Sequence, residues 1–185
     1  MQRNHIFIIY SEEEGFLKDS TEIIKYQGFR EITGCVNDEP GQTYSIQASG
    51  TDAVAPFEVV LDAPDDLGEI TVDGISPVER TPSIKEGEEL EISWEGRGYG
   101  DEVIAEIGWT SMGLPWKMTC RMRDDGLFVI PQRYTRNMHD PMHSGDEELT
   151  LTRVRQVSFR SEGLSSGTFA FVVSSRFPVR LQDEN

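Results

Sequence analysis

The sequence predicts an all-β protein, an antiparallel β-sandwich preceded by a β-rich N-terminal region. Three observations carry this. Apolar residues recur at every second position in several short runs, Gly, Pro and Asp punctuate those runs, and no run shows the period of an amphipathic helix of useful length. At 185 residues, 37% of them hydrophobic and with nine Phe, five Tyr and three Trp, the chain can bury a core without metal or disulfide support.

The N-terminal region, residues 1–66, offers candidate strands at 5–10, 43–48 and 56–62, with 22–29 open between strand and helix. Turns fall at Glu39-Pro40-Gly41 and Ala63-Pro64, and residues 63–68 form the best boundary with the sandwich domain, residues 67–185. A strand at 69–73 leads into that domain.

The cleanest alternation runs over 90–130. Leu90, Ile92 and Trp94 alternate with Glu89, Glu91 and Ser93. Val103, Ala105, Ile107 and Trp109 alternate with Glu102, Glu106 and Gly108. Trp116, Met118, Cys120 and Met122 face one way, and Lys117, Thr119, Arg121 and Arg123 face the other. Each is the pattern of a half-buried strand. Asp125-Gly126 then predicts a tight hairpin to the strand at 127–131, because a type I′ turn needs positive φ at both central residues. Residues 132–138 lack β alternation and fit one short helical turn. Further strands are expected at 148–155, running on toward Phe159, at 168–174 and at 176–181.

A net charge of −16 would repel nucleic acid and anionic membrane surfaces, so neither is an expected partner. No apolar stretch approaches the roughly 20 residues that span a bilayer, so no membrane insertion is expected. Residues 5–10 are too short for the apolar region of a secretory signal and run straight into Glu12, Glu13 and Glu14. If the natural product is exported, its signal is expected to lie ahead of this sequence.

Two cysteines, Cys35 and Cys120, permit a single disulfide, whose long loop would contribute about 4 kcal/mol on a chain-entropy model. The alternative is a pair of buried thiols packed as small hydrophobes.

Candidate sites are sparse. His139 and His143, with Asp140 between them, have metal-ligand chemistry, but Pro141 breaks the helical spacing that would align them, so a polar loop is the simpler reading. Acidic clusters at Glu12–Glu14, Asp62 with Asp65 and Asp66, Glu86 with Glu88 and Glu89, Asp101-Glu102 and Asp146–Glu148 could hold calcium between loops, yet none has EF-hand spacing. No cofactor is expected beyond that calcium. A G-x-S-x-G elbow is missing, Gly96-Arg-Gly-Tyr-Gly100 opens no helix, and no catalytic constellation is expected. Trp94 and Trp109 lie in phase with the core. Trp116, at a strand entry, and Tyr99 are the candidates for stacking on a ligand.

From Gln42 onward the chain resembles exported β-sandwich proteins of unknown function from myxobacterial-type bacteria. The stretches that carry the resemblance are TYSIQASGTDAVAPFEVVLDAP, ELEISWEGRGYGDEVIAEI, WKMTCRMRDDGLFVIP and LTLTRV. The first 40 residues lie outside it. The resemblance implies an immunoglobulin-like fold and export to the periplasm, outer surface or extracellular space, a compartment that permits Cys35–Cys120 pairing. It brings no catalytic residues.

The function expected is therefore a non-enzymatic, cell-surface structural, assembly or adhesion module. It would take protein partners, or self-assemble, through strand edges, with Ile6, Ile8 and Tyr10 as a strand-pairing segment. The alternative is a carbohydrate- or calcium-dependent binding module built around Trp116 and Tyr99.

Overall fold

The structure, a computed structural model, describes residues 2–11, 41–49, 55–96, 101–111, 113–136, 138 and 147–182. They form the strands β1 (Gln2–Ser11), β2 (Thr43–Ala48), β3 (Phe57–Asp62), β4 (Thr71–Val72), β5 (Ser83–Lys85), β6 (Leu90–Ser93), β7 (Glu102–Ser111), β8 (Leu114–Arg123) and β9 (Leu127–Ile130). One helical turn, α1 (Gln132–Thr135), then precedes β10 (Glu148–Ser161), β11 (Leu164–Pro178) and β12 (Arg180–Gln182). The fold is all-β, and α1 falls where alternation lapses.

The chain divides into two compact units. One comprises residues 1–4, 66–153 and 173–185, the other residues 5–65 and 154–172. The break after Asp65 lies in the Pro-containing stretch 63–68. Residues 154–172 group with the earlier residues because β10 and β11 are longer than their alternation suggests. β11 runs unbroken from Leu164 to Pro178, through the gap between the two strands expected there.

Strand order is β1-β11-β10-β7-β8 in one sheet and β4-β6-β9 in another, with two-stranded pairs β2-β3 and β5-β12. In the first unit, Val72, Leu90, Ile92, Trp94 and Ile130 from around the β4-β6-β9 sheet share one buried cluster with Val103, Ala105, Ile107 and Trp109 of β7. Leu149 and Leu151 of β10, Phe177 of β11 and Leu181 of β12 also belong to it. Period-two alternation thus delivers one face of each strand to a common core, at about 1.5–3 kcal/mol for each large apolar side chain fully buried. The second unit has its own cluster, in which Val59, Ala63, Phe169 and Phe171 are buried and Tyr44, Phe57, Leu61, Val157 and Phe159 pack around them. Gly167 makes room there, since a Cβ on it would stand 2.3 Å from the Phe159 ring.

The hairpin expected at Asp125-Gly126 does not form. β8 pairs with β7, whereas β9 pairs antiparallel with β6, from Leu90↔Ile130 to Ser93↔Leu127, so the turn carries the chain from one sheet to the other. Gly126 has φ 91°, but Asp125 does not share the positive φ that a type I′ turn requires. The Gly126 carbonyl accepts the Trp94 N–H at 3.0 Å, which draws the chain beyond the turn toward β6. A type I′ arrangement occurs instead at Asp73-Gly74, with φ 50° and 70° and reciprocal Val72–Ile75 backbone bonds of 3.0 Å.

Candidate functional site

The β7-β8 ladder runs from Glu102↔Arg123 to Ser111↔Leu114 and places the two apolar rows side by side: Val103↔Met122, Ala105↔Cys120, Ile107↔Met118 and Trp109↔Trp116. Burial drops across this one strand spacing. Every β7 member of the row is buried, while Met118, Cys120 and Met122 are half-buried, Trp116 is 54% exposed and Leu114 is 61% exposed. The core therefore ends partway over β8. Trp116 stacks on Trp109 with ring centroids 6.5 Å apart and planes inclined by 16°. Among the described residues no strand pairs with the other edge of β8.

The opposite face of β8 is basic. Lys117 Nζ donates to Glu106 Oε1 at 2.7 Å, and Arg121 Nη1 donates to Glu102 Oε2 at 2.9 Å. Thr119 Oγ1 also donates to Glu106 Oε1, at 3.3 Å. Acids on β7 thus face bases on β8, the cross-strand pairing that favours an antiparallel ladder.

The turn from β8 to β9 is held by a buried polar cluster. Asp124 Oδ1 accepts hydrogen bonds from Trp94 Nε1 at 2.7 Å and Arg153 Nη2 at 3.0 Å. Arg153 Nε lies 2.9 Å from Asp124 Oδ2, an ion pair with both side chains fully buried, though its angle falls outside hydrogen-bond geometry. The Asp66 carbonyl takes Arg153 Nη1 at 2.7 Å, and the Glu95 carbonyl takes Nη2 at 2.5 Å. Gly96 allows the backbones to close, because a Cβ there would stand 2.4 Å from Gly126 N. This cluster is a structural lock. Its effect is to anchor β8 where it ends and β9 where it begins, and β9, last in the described order β4-β6-β9, shows Leu127 and Val129 on its exposed face.

Cys120 is a free, half-buried thiol whose pKa is pushed up by desolvation, and Cys35 lies outside the described residues. Trp116 is exposed as expected of a stacking candidate, while Tyr99, its expected companion, also lies outside them. Ile6, Ile8 and Tyr10 lie in β1, which forms the far edge of the five-stranded sheet, and their side chains are outside the described residues. His139, Asp140, His143, Asp146 and Glu12–Glu14 are outside them too. Among the described residues no group of three or more His, Cys, Asp or Glu side chains is placed to hold a metal ion. No helix among them is long and apolar enough to cross a membrane.

Asp124 and Arg153 are the site residues that alternation did not single out. The signal was present, since Arg153 continues the inward phase of Leu149 and Leu151. An open depression of about 680 Å³ elsewhere in this unit is lined by Asp73, Arg80, Lys85, Glu89 and Arg180 among others, a mixture of charges in which Lys85 is already paired with Glu88 at 3.0 Å.

No family model, curated protein or solved structure matches this chain.

Proposed function

We propose that this chain is a non-enzymatic structural module of the cell exterior, an immunoglobulin-like sandwich that assembles or adheres through its strand edges. The observation that carries the reading is β8, a ten-residue strand that has no second neighbour among the described residues and leaves Leu114 and Trp116 exposed beside its outer edge. Such an edge offers backbone donors and acceptors to an added strand, and the apolar row gives that strand something to bury. The lock formed by Arg153, Asp124 and Trp94 supports the same reading, because a docking edge works best when the free protein already holds it in place.

The test is adhesion or assembly of cells displaying the full chain, compared with the Leu114→Glu/Trp116→Glu variant. Adhesion falls while the melting temperature and circular dichroism stay close to those of the parent. Undiminished adhesion with a folded variant overturns the proposal.

One observation favours the alternative, a carbohydrate- or calcium-dependent binding module, in its carbohydrate form. The exposed Trp116 ring is backed by Trp109, as a sugar-stacking platform would be. Binding on a glycan array that is lost in Trp116→Ala supports it, and sensitivity to EDTA supports the calcium-dependent form.

A further inference from the structure

We propose that the outer edge of β8 receives an extended segment of another protein in which apolar residues alternate with acidic ones, a strand with the chemistry of β7. The inference rests on the edge-assembly reading above and specifies the partner.

Three features define what fits. First, the backbone edge is long: β8 has ten residues, all aligned with β7 on one side and with no strand among the described residues on the other. Second, Trp116, Met118, Cys120 and Met122 form a row on the core side of the strand that the core covers only in part. An added strand with apolar residues in the same phase continues the row of Val103, Ala105, Ile107 and Trp109 on the far side of β8. Third, the other face presents Lys117, Arg121 and Arg123, all exposed. Glu102 and Glu106 of β7 approach two of these bases from one side. Acids on an incoming strand would approach the row from the other, making a ladder of acid, base and acid across three strands. Such exposed pairs select the partner more than they tighten its binding.

A second copy of this chain fits poorly. When β8 pairs antiparallel with itself, with both apolar rows on one face, the basic row lies alongside its own copy, and like charges directly opposite are destabilising. β1, with Arg3 and His5 and no carboxylate, supplies nothing acidic to meet that row.

The experiment uses the full chain and two synthetic peptides, one with the sequence of β7 and one with lysine at both of its glutamate positions. The readout is amide hydrogen exchange along β8, with light scattering of the chain alone. The glutamate peptide is expected to slow exchange on β8 and to bind at least about ten-fold more tightly than the lysine peptide, with the gap closing as salt screens the charges. Arg123→Glu with Lys117→Gln, both exposed changes, narrows or reverses the preference.

Equal protection by both peptides overturns the acidic partner and leaves edge assembly standing. Protection of β8 by neither peptide overturns the inference, and the adhesion assay on Leu114→Glu/Trp116→Glu then decides the broader reading separately. An oligomer of the chain alone with β8 already protected overturns it in favour of a second copy.

Discussion

Arg153 Nε lies 2.9 Å from Asp124 Oδ2, and neither side chain is accessible to water. A charged pair so deep in a β core is held by what surrounds it. Two backbone carbonyls and the Trp94 indole take up part of the hydrogen-bonding capacity that water would otherwise satisfy, and the ion pair itself compensates Arg153 Nε and Asp124 Oδ2.

Removing one partner of this pair is therefore expected to cost more than removing both. Arg153→Met and Asp124→Leu each destabilise by about 3–5 kcal/mol, because each strands a buried charge. The double variant recovers part of that loss. Urea denaturation of the three variants measures the coupling, and additive losses would show that the two charges do not depend on each other.

Gly96→Ala is expected to destabilise by about 1–3 kcal/mol, since its Cβ would press on the Gly126 backbone, which cannot move aside as a side chain can. Gly74→Ala has open space around its Cβ and meets only the strain of a positive φ, about 1 kcal/mol. Thermal melts of the two variants should rank them in that order.

In the second unit, Gly167→Ala pushes against the Phe159 ring, which also packs on Phe57 with ring centroids 4.8 Å apart. A loss of about 1–3 kcal/mol is expected, and it should shrink in a Phe159→Leu background, where the obstructing ring is gone. An unchanged loss in that background would place the cost elsewhere.

Partial burial raises the Cys120 pKa, so the folded state favours the neutral thiol. The sign follows directly: the thiolate is scarcer than in an unstructured peptide at the same pH, and the rate of alkylation rises with pH along a curve displaced to the alkaline side. Peptide mapping after iodoacetamide treatment of the folded chain, over a range of pH, reads this. Stability linked to this group is fully present below the unfolded thiol pKa and declines as pH rises through the folded value.

The phases of β7 and β8 were legible because each has one face on a core and one on water, so alternation reports burial directly. Trp94 and Trp109 fell to the core for the same reason. Arg153 was legible only as a base in the inward phase of Leu149 and Leu151, and its role was not, because a charge at an inward position makes sense only once Asp124, Trp94 and two carbonyls far away in sequence are known to converge on it. The two Asp-Gly pairs make a similar point. Locally they carry the same signal, but at Asp73-Gly74 the contacts Asp73 makes with the Glu91 backbone leave the turn intact, whereas at Asp125-Gly126 the Trp94 amide and the buried carboxylate redirect the chain. That β8 has no second neighbour among the described residues was equally hidden, since the pattern of a strand says which way its side chains face and not how many neighbours it has.

The core of the first unit joins Leu67, Ile70 and Val72 to Phe177, Val179 and Leu181, segments that leave the ribosome far apart in time. Until the later ones emerge, the apolar faces of β4, β6 and β7 have no complete cover, and the closing contacts span most of the chain, a topology that folds slowly. A nascent chain of this protein stays unfinished, and adhesive to other chains, for most of its synthesis. Its maturation should accordingly depend on whatever shields it in that interval, such as a holding chaperone that defers folding until the whole span is available.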